Sequence, residues 1–132
     1  NWRIRGVLVA VVDYQLILEL PFPPTVNTYW RRVGNSTKIS EKGRKYSRDV
    51  AWLVRGKKFP EDKRACVFIE AFMPDKRERD LDNLFKALLD SLVKAGVLVD
   101  DSIIDELRIV RRKVVKNGLV RVHIGEWEDD NH

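Results

Sequence analysis

Cysteine is all but missing from this chain: Cys66 is the only one in 132 residues. One thiol cannot close an internal disulfide, so the fold has to hold without a covalent staple, which suits a reducing compartment. Cys66 itself sits in an apolar run and reads as a small core residue. Histidine is almost as scarce, with His123 and His132 alone, and these two plus one thiol do not make up a zinc set. No apolar run approaches the roughly 20 residues of a membrane-spanning helix. Residues 1–12 place Arg3 and Arg5 ahead of a short Val-Leu-Val-Ala-Val-Val run, which imitates a weak leader. No small-residue cleavage site follows, so the segment is read as an added strand or an extension, and a cytoplasmic location is expected.

Charge is plentiful and unevenly placed. The 25 Lys and Arg outnumber the 20 Asp and Glu, for a net charge of +5. Residues 126–132 hold four of the acids and no Lys or Arg, so the rest of the chain sets 25 bases against 16 acids. A body that basic suits a polyanionic partner, and equally a protein that is merely soluble. With 44% hydrophobic residues the chain is not disordered, and its length suits one hydrophobic core.

Hydrophobic periodicity sets out the elements. Gln15–Leu20 alternates as a strand, with Leu16, Leu18 and Leu20 on one face, and stops at Pro21-Phe22-Pro23-Pro24. A loop is expected from Thr25 to Ile39. It carries Tyr29, Trp30, Arg31 and Arg32, a combination that either stacks on unpaired bases and holds phosphates or folds its aromatics back onto the core. Ser40 is an N-cap for a helix to about Arg55, with Tyr46, Val50, Leu53 and Val54 on its apolar side and Lys42, Arg44, Lys45 and Arg48 elsewhere. That basic surface is solvated or touches phosphate. Lys57–Arg64 is a charged connector. Ala65–Met73 is apolar on both faces and reads as a central strand covered on both sides, except for Glu70, which needs a partner or a metal. Leu81–Ala95 repeats its apolar positions at helical spacing and ends at Gly96. Leu107–Val115 and Leu119–Ile124 flank Asn117-Gly118, a strong hairpin signal. The fold class is α+β: a single compact domain with a mixed sheet and two main helices packed on it.

The chemistry gathers around Arg79-Asp80-Leu81-Asp82-Asn83 and Asp100-Asp101. Asp80 and Asp82 stand at the start of the second helix, and Asp101 follows some twenty residues later. If Val97–Val99 brings Asp101 back to that end, three carboxylates meet. Such a cluster repels itself unless it holds a cation, and hard oxygen donors suit Mg²⁺ or Mn²⁺. Lys86, four residues after Asp82, shares its helix face and could hold a phosphate. Each of these residues also has a plainer reading. Asp80 or Asp82 caps the helix, and Asp82, Lys86, Asp90 and Lys94 form an i, i+4 ladder. Lys76, Arg77 and Arg79 either draw in phosphate or neutralise nearby acids as surface pairs.

The run Met73-Pro74-Asp75-Lys76-Arg77-Glu78-Arg79-Asp80-Leu81-Asp82-Asn83-Leu84-Phe85-Lys86, followed by Lys94-Ala95-Gly96 and Asp100-Asp101, resembles the RusA family of Holliday junction resolvases. So does Leu20-Pro21-Phe22-Pro23-Pro24 with Asn27, Tyr29 and Arg31. The resemblance covers about residues 14–125. It implies a homodimeric, phage- or prophage-type endonuclease that cuts four-way DNA junctions by paired symmetric nicks and needs a divalent metal. By this resemblance Asp80, Asp82 and Asp101 are the metal-binding catalytic acids, Lys86 is the essential lysine, and Asp100 stands in reserve beside the third acid. Lys76, Arg77 and Arg79 match a region expected to touch DNA. The expected organisation is an N-terminal extension over 1–13, the nuclease domain over 14–125 and an acidic tail over 126–132. Two rivals remain: a metal nuclease for flaps or forks, and a non-catalytic DNA-binding module whose acids are caps and surface pairs.

Overall fold

A computed structural model describes residues 2–4, 7–9 and 14–128, the first two stretches by their backbone alone. Those two stretches are β1 (Trp2–Ile4) and β2 (Val7–Val9), which pair antiparallel with Trp2 opposite Val9. The expected extension over 1–13 and the acidic tail lie partly outside the described residues.

The main sheet has four strands: β3 (Tyr14–Leu20), β6 (Ala65–Phe72), β7 (Ile104–Arg112) and β8 (Leu119–Glu126), in the order β3-β8-β6-β7. It is mixed, since β6 runs parallel to β7 and antiparallel to β8. The parallel pair is joined through α3 (Asp82–Lys94), as a parallel connection requires. One face of the sheet meets α3 and α2 (Glu41–Leu53). Leu18, Leu20, Val67, Ile69, Val120, Val122 and Ile124 pack there against Tyr46, Val50, Leu88 and Leu92 in one buried core. Each of these aliphatic side chains contributes roughly 1.5–3 kcal/mol when taken out of water.

The α+β expectation holds, with corrections in detail. The Thr25–Ile39 loop is ordered: α1 (Val26–Tyr29) leads into a hairpin of β4 (Trp30–Val33) and β5 (Ser36–Ile39). Gly34-Asn35 is its two-residue turn, with Gly34 at φ +60 and Val33 opposite Ser36. Those turn formers mark a hairpin rather than an irregular loop. Asn117-Gly118 does form a tight turn, with both residues at φ +67, yet it does not join neighbouring strands. The most apolar strand, β6, takes a partner on each side, so β7 and β8 flank it and do not pair. The far side of β6 is only half-covered among the described residues, with Phe68, Glu70 and Phe72 partly exposed. Glu70 finds protein partners there: Arg112 (2.9 Å), Arg121 (3.4 Å) and His123 (2.8 Å). Leu53 faces solvent because the buried stripe of α2 runs through Tyr46 and Val50 to Val54, the residue just past its end. The Lys57–Arg64 connector buries Phe59, whose amide donates to the Val97 carbonyl at 2.8 Å.

Candidate active site

Three segments surround the expected site residues. The first is α1 with its hairpin. Thr25 accepts from the Thr28 amide and starts the short turn, and Ser40 caps α2 by accepting from the Gly43 amide at 3.0 Å. The Ser40 hydroxyl donates to the carbonyl oxygens of Thr28 and Tyr29, so one side chain binds the end of α1 to the start of α2. Gly43 lets this happen. A Cβ there would overlap the Tyr29 carbonyl oxygen. The sequence left two fates open for Tyr29 and Trp30, and the structure divides them. Tyr29 is fully buried, whereas Trp30, its neighbour across a 4.4 Å edge-to-face contact, stays at the surface margin.

The second segment is α3. Leu84, Leu88 and Leu92 point into the core, which turns Lys86, Asp90 and Lys94 outward along one side. The cap reading for the acids does not hold. The residue before the helix is Leu81, and no side chain caps the start. The ladder reading holds only at its far end: Lys94 pairs with Asp90 at 3.0 Å, with no such contact between Asp82 and Lys86. Asp90 also accepts from the Tyr29 hydroxyl at 2.5 Å. Among the described residues, Asp80, Asp82 and Lys86 make no ion pair and no side-chain hydrogen bond.

The third segment is the turn after α3. Gly96, at φ +82, gives its amide to Val93, and the next amide, Val97, reaches back to Leu92. This Schellman ending reverses the chain along the helix it has just left. It brings Asp100 and Asp101 to a recess of about 310 Å³ shared with Trp30, Phe85, Lys86 and Asp90. The Asp100 carboxylate accepts from the Ser102 hydroxyl, and that bond holds it below the usual carboxylate range.

The return is therefore partial. Lys86 and Asp101 share a recess, while Asp80 and Asp82 stay at the exposed start of α3. Among the described residues, no three acidic, histidine or cysteine side chains lie close enough to hold one ion.

The basic loop also differs from a plain phosphate-facing array. Arg79 is largely buried and forks onto Asp75 through both terminal nitrogens, while Arg77 approaches the same carboxylate at 3.0 Å. The hydrogen bonds from Arg79 and Arg77 push the Asp75 carboxyl well down. The Arg79 backbone carbonyl accepts from Arg111 at 2.6 Å, which ties the loop to β7. Lys76 is exposed and makes no ion pair with another described residue. Asp90 and Trp30 also border the site. Asp90 was legible as the i+4 neighbour of Lys86. Trp30 carried no spacing signal to the acids.

On an α+β scaffold, Asp80, Asp82 and Lys86, which make no ion pair among the described residues, next to a basic loop, suit a class of protein: one that handles phosphodiesters. The sequence profile of the RusA endodeoxyribonucleases matches residues 21–125. The crossover junction endodeoxyribonuclease of Enterobacteria phage HK97 is 43% identical over 118 residues, 88% of this chain and 97% of the phage protein. The phage 82 protein of the same name is 40% identical over 115 residues, covering 86% of this chain and 96% of its own length. That of Escherichia coli strain K12 is 38% identical over 119 residues, with coverage of 86% and 96%. The chain belongs to the RusA endodeoxyribonuclease family.

Proposed function

We propose that this chain is a structure-selective endodeoxyribonuclease that resolves four-way DNA junctions by paired symmetric nicks in recombination and repair. It acts as a homodimer in the cytoplasm of a bacterium, in the service of phage or host. A two-fold protein suits the approximate two-fold relation of a junction's opposed strands. The observation that carries the reading is that Lys86 and Asp101 line one recess, while Asp82, one helical turn before Lys86, and Asp80 make no ion pair with another described residue. The names and extents of the relatives support the substrate.

The donor chemistry fits a hard divalent cation. Carboxylate oxygens are available, and Mg²⁺ binds through one or two of them plus water and phosphate oxygens. Asp80, Asp82 and Asp101 are the residues that would hold Mg²⁺, with Mn²⁺ as a substitute. Sharing one ion among all three requires the start of α3 and the turn at residues 97–103 to draw together. When bound, such an ion lowers the pKa of water and offsets charge on the phosphate under attack. Lys86 supplies positive charge to a non-bridging oxygen or to the leaving oxygen. Arg79 and Asp75 hold the loop that carries Asp80. Lys76 and Arg77, at the exposed edge of that loop, contact the DNA backbone, as does Arg79 if it exchanges Asp75 for phosphate; such contacts position DNA without reading its sequence.

The test separates binding from cutting. Asp82→Asn is expected to bind a four-way junction in Mg²⁺ and leave it un-nicked, whereas the unaltered protein cuts it in preference to a duplex, a flap or a fork. Normal nicking by Asp82→Asn would remove Asp82 from the metal site. Equal cutting of the duplex would remove the junction preference.

A further inference from the structure

Trp30 and Lys86 form a ridge between two recesses. On one side lies the acid-lined recess already described. On the other lies a larger one, of about 430 Å³, whose lining includes Val26, Asn27, Trp30, Arg31, Arg32 and Lys86. The two recesses share those two residues, so anything seated in the second reaches Lys86.

The lining has the parts that a nucleotide needs. An indole offers a flat π surface, and stacking on it tolerates any base. Arg31, Arg32 and Lys86 supply positive charge for phosphate oxygens. The Asn27 amide has both donor and acceptor, so it can distinguish base edges. The volume lies within the roughly 300–1,000 Å³ of sites that enclose a small ligand. A double helix is excluded, because its bases are covered on both faces by their neighbours. The occupant must be a single nucleotide lifted from the stack, as in enzymes that flip a base. The frame is firm: buried Tyr29 and the Ser40 cap hold the first residue of the hairpin.

We propose that this second recess is a nucleotide subsite. It accepts one unpaired nucleotide of a DNA strand, next to the phosphate held at Lys86. Trp30 stacks on its base and Asn27 reads its edge, so the recess selects where along a junction the strand is cut. The proposal rests on the reading of Lys86 and the acids as the cleavage site.

The test uses full-length protein and junctions carrying 2-aminopurine at single positions around the mapped cut. Asp82→Asn is the background protein, with Mg²⁺ present, so that binding is read without cleavage. One position adjoining the cut is expected to be quenched on binding. In the same background, Trp30→Ala should raise the emission of that bound position several-fold, and Trp30→Phe should keep the quench. In the otherwise unaltered protein, Asn27→Ala should redistribute cuts among sequences on a junction whose crossover can migrate, with junction affinity within about threefold. Asn27 is exposed, so this arm survives if Trp30→Ala fails to fold. An emission unchanged by Trp30→Ala in a folded protein, or an unaltered cut distribution in Asn27→Ala, overturns the subsite. The two readings fail separately: nicking by Asp82→Asn alone would unseat the metal site, and a silent probe with Asp82→Asn inactive would unseat only the subsite.

Discussion

The Tyr29 hydroxyl donates to the Asp90 carboxylate across 2.5 Å, joining the end of α1 to the middle of α3, sixty-one residues away in sequence. The same carboxylate takes Lys94 at 3.0 Å, and the Tyr29 oxygen also lies 3.3 Å from the Ser91 hydroxyl. This knot fixes the hairpin that carries Trp30 against the helix that carries Lys86.

Removing one oxygen tests the knot. Tyr29→Phe should cost about 1–2 kcal/mol, the usual loss when a buried hydrogen bond keeps one partner unsatisfied. Burial and the Asp90 bond together push the Tyr29 phenol up to about 12 from its ordinary 10.0. A folded value raised above the unfolded one means that this stabilisation is complete below pH 10 and is lost as pH climbs through 12. Urea titrations from pH 8 to 12 should therefore show a shallower alkaline decline for Tyr29→Phe, although the buried Tyr46, also raised, keeps some slope. Identical alkaline limbs would mean that Tyr29 ionises freely.

Much of this arrangement was legible beforehand, and the failures have physical causes. The α3 face was read from Leu84, Leu88 and Leu92 because a helix repeats its burial every three to four residues. The Ser40 cap was read because a hydroxyl before a helix serves its free amides. The pairing of β7 with β6 was hidden, since a local turn at Asn117-Gly118 says nothing about which strand takes the middle of the sheet. The family motif was plain in Asp80, Asp82, Lys86 and Asp101. The distances among them depend on how far the chain reverses after Gly96, which no spacing encodes. Arg79 read as a DNA contact, and its fork onto Asp75 became visible only when the loop was folded.

Glu70 gives a prediction at acid pH. Burial alone would raise its carboxyl, but hydrogen bonds from His123 and Arg112 outweigh burial and hold it below its ordinary 4.5. A depressed folded value contributes stability that is complete above that pH and is lost as pH falls through the folded pKa. Glu70→Gln should lower stability at pH 7 by roughly 1–3 kcal/mol, because Arg112 and Arg121 lose their counter-charge and the hydrogen bond to His123 is weakened. It should also flatten the acid limb below pH 4.5. Thermal melts at pH 3, 4, 5 and 7 would measure both, and parallel curves for the two proteins would contradict the assignment.

Asp75 and Arg79 are expected to act as a unit. If Arg79 serves the site by holding the loop through Asp75, Asp75→Ala and Arg79→Ala should each slow nicking by about tenfold, and the double variant should be no slower than Arg79→Ala alone. If Arg79 serves only by touching phosphate, freeing it with Asp75→Ala should instead tighten junction binding and steepen its salt dependence. Single-turnover nicking of the four proteins, with junction affinity at two salt concentrations, distinguishes the two roles.

Lys86 isolates chemistry from stability. It makes no ion pair with the described residues and its side chain is exposed, so no ion pair among the described residues depends on its charge. Lys86→Ala should leave the urea midpoint within about 0.5 kcal/mol of the unaltered protein. Its single-turnover nicking rate should nevertheless fall by about 100-fold or more, the usual loss when a positioned donor to a developing negative charge is removed. Junction affinity should change far less, because one exposed cation among many contributes little to binding a polyanion. Were affinity to collapse in step with rate, Lys86 would be a docking residue only. A variant with nearly normal rate would leave the Lys86 and Asp101 recess without a role in cleavage.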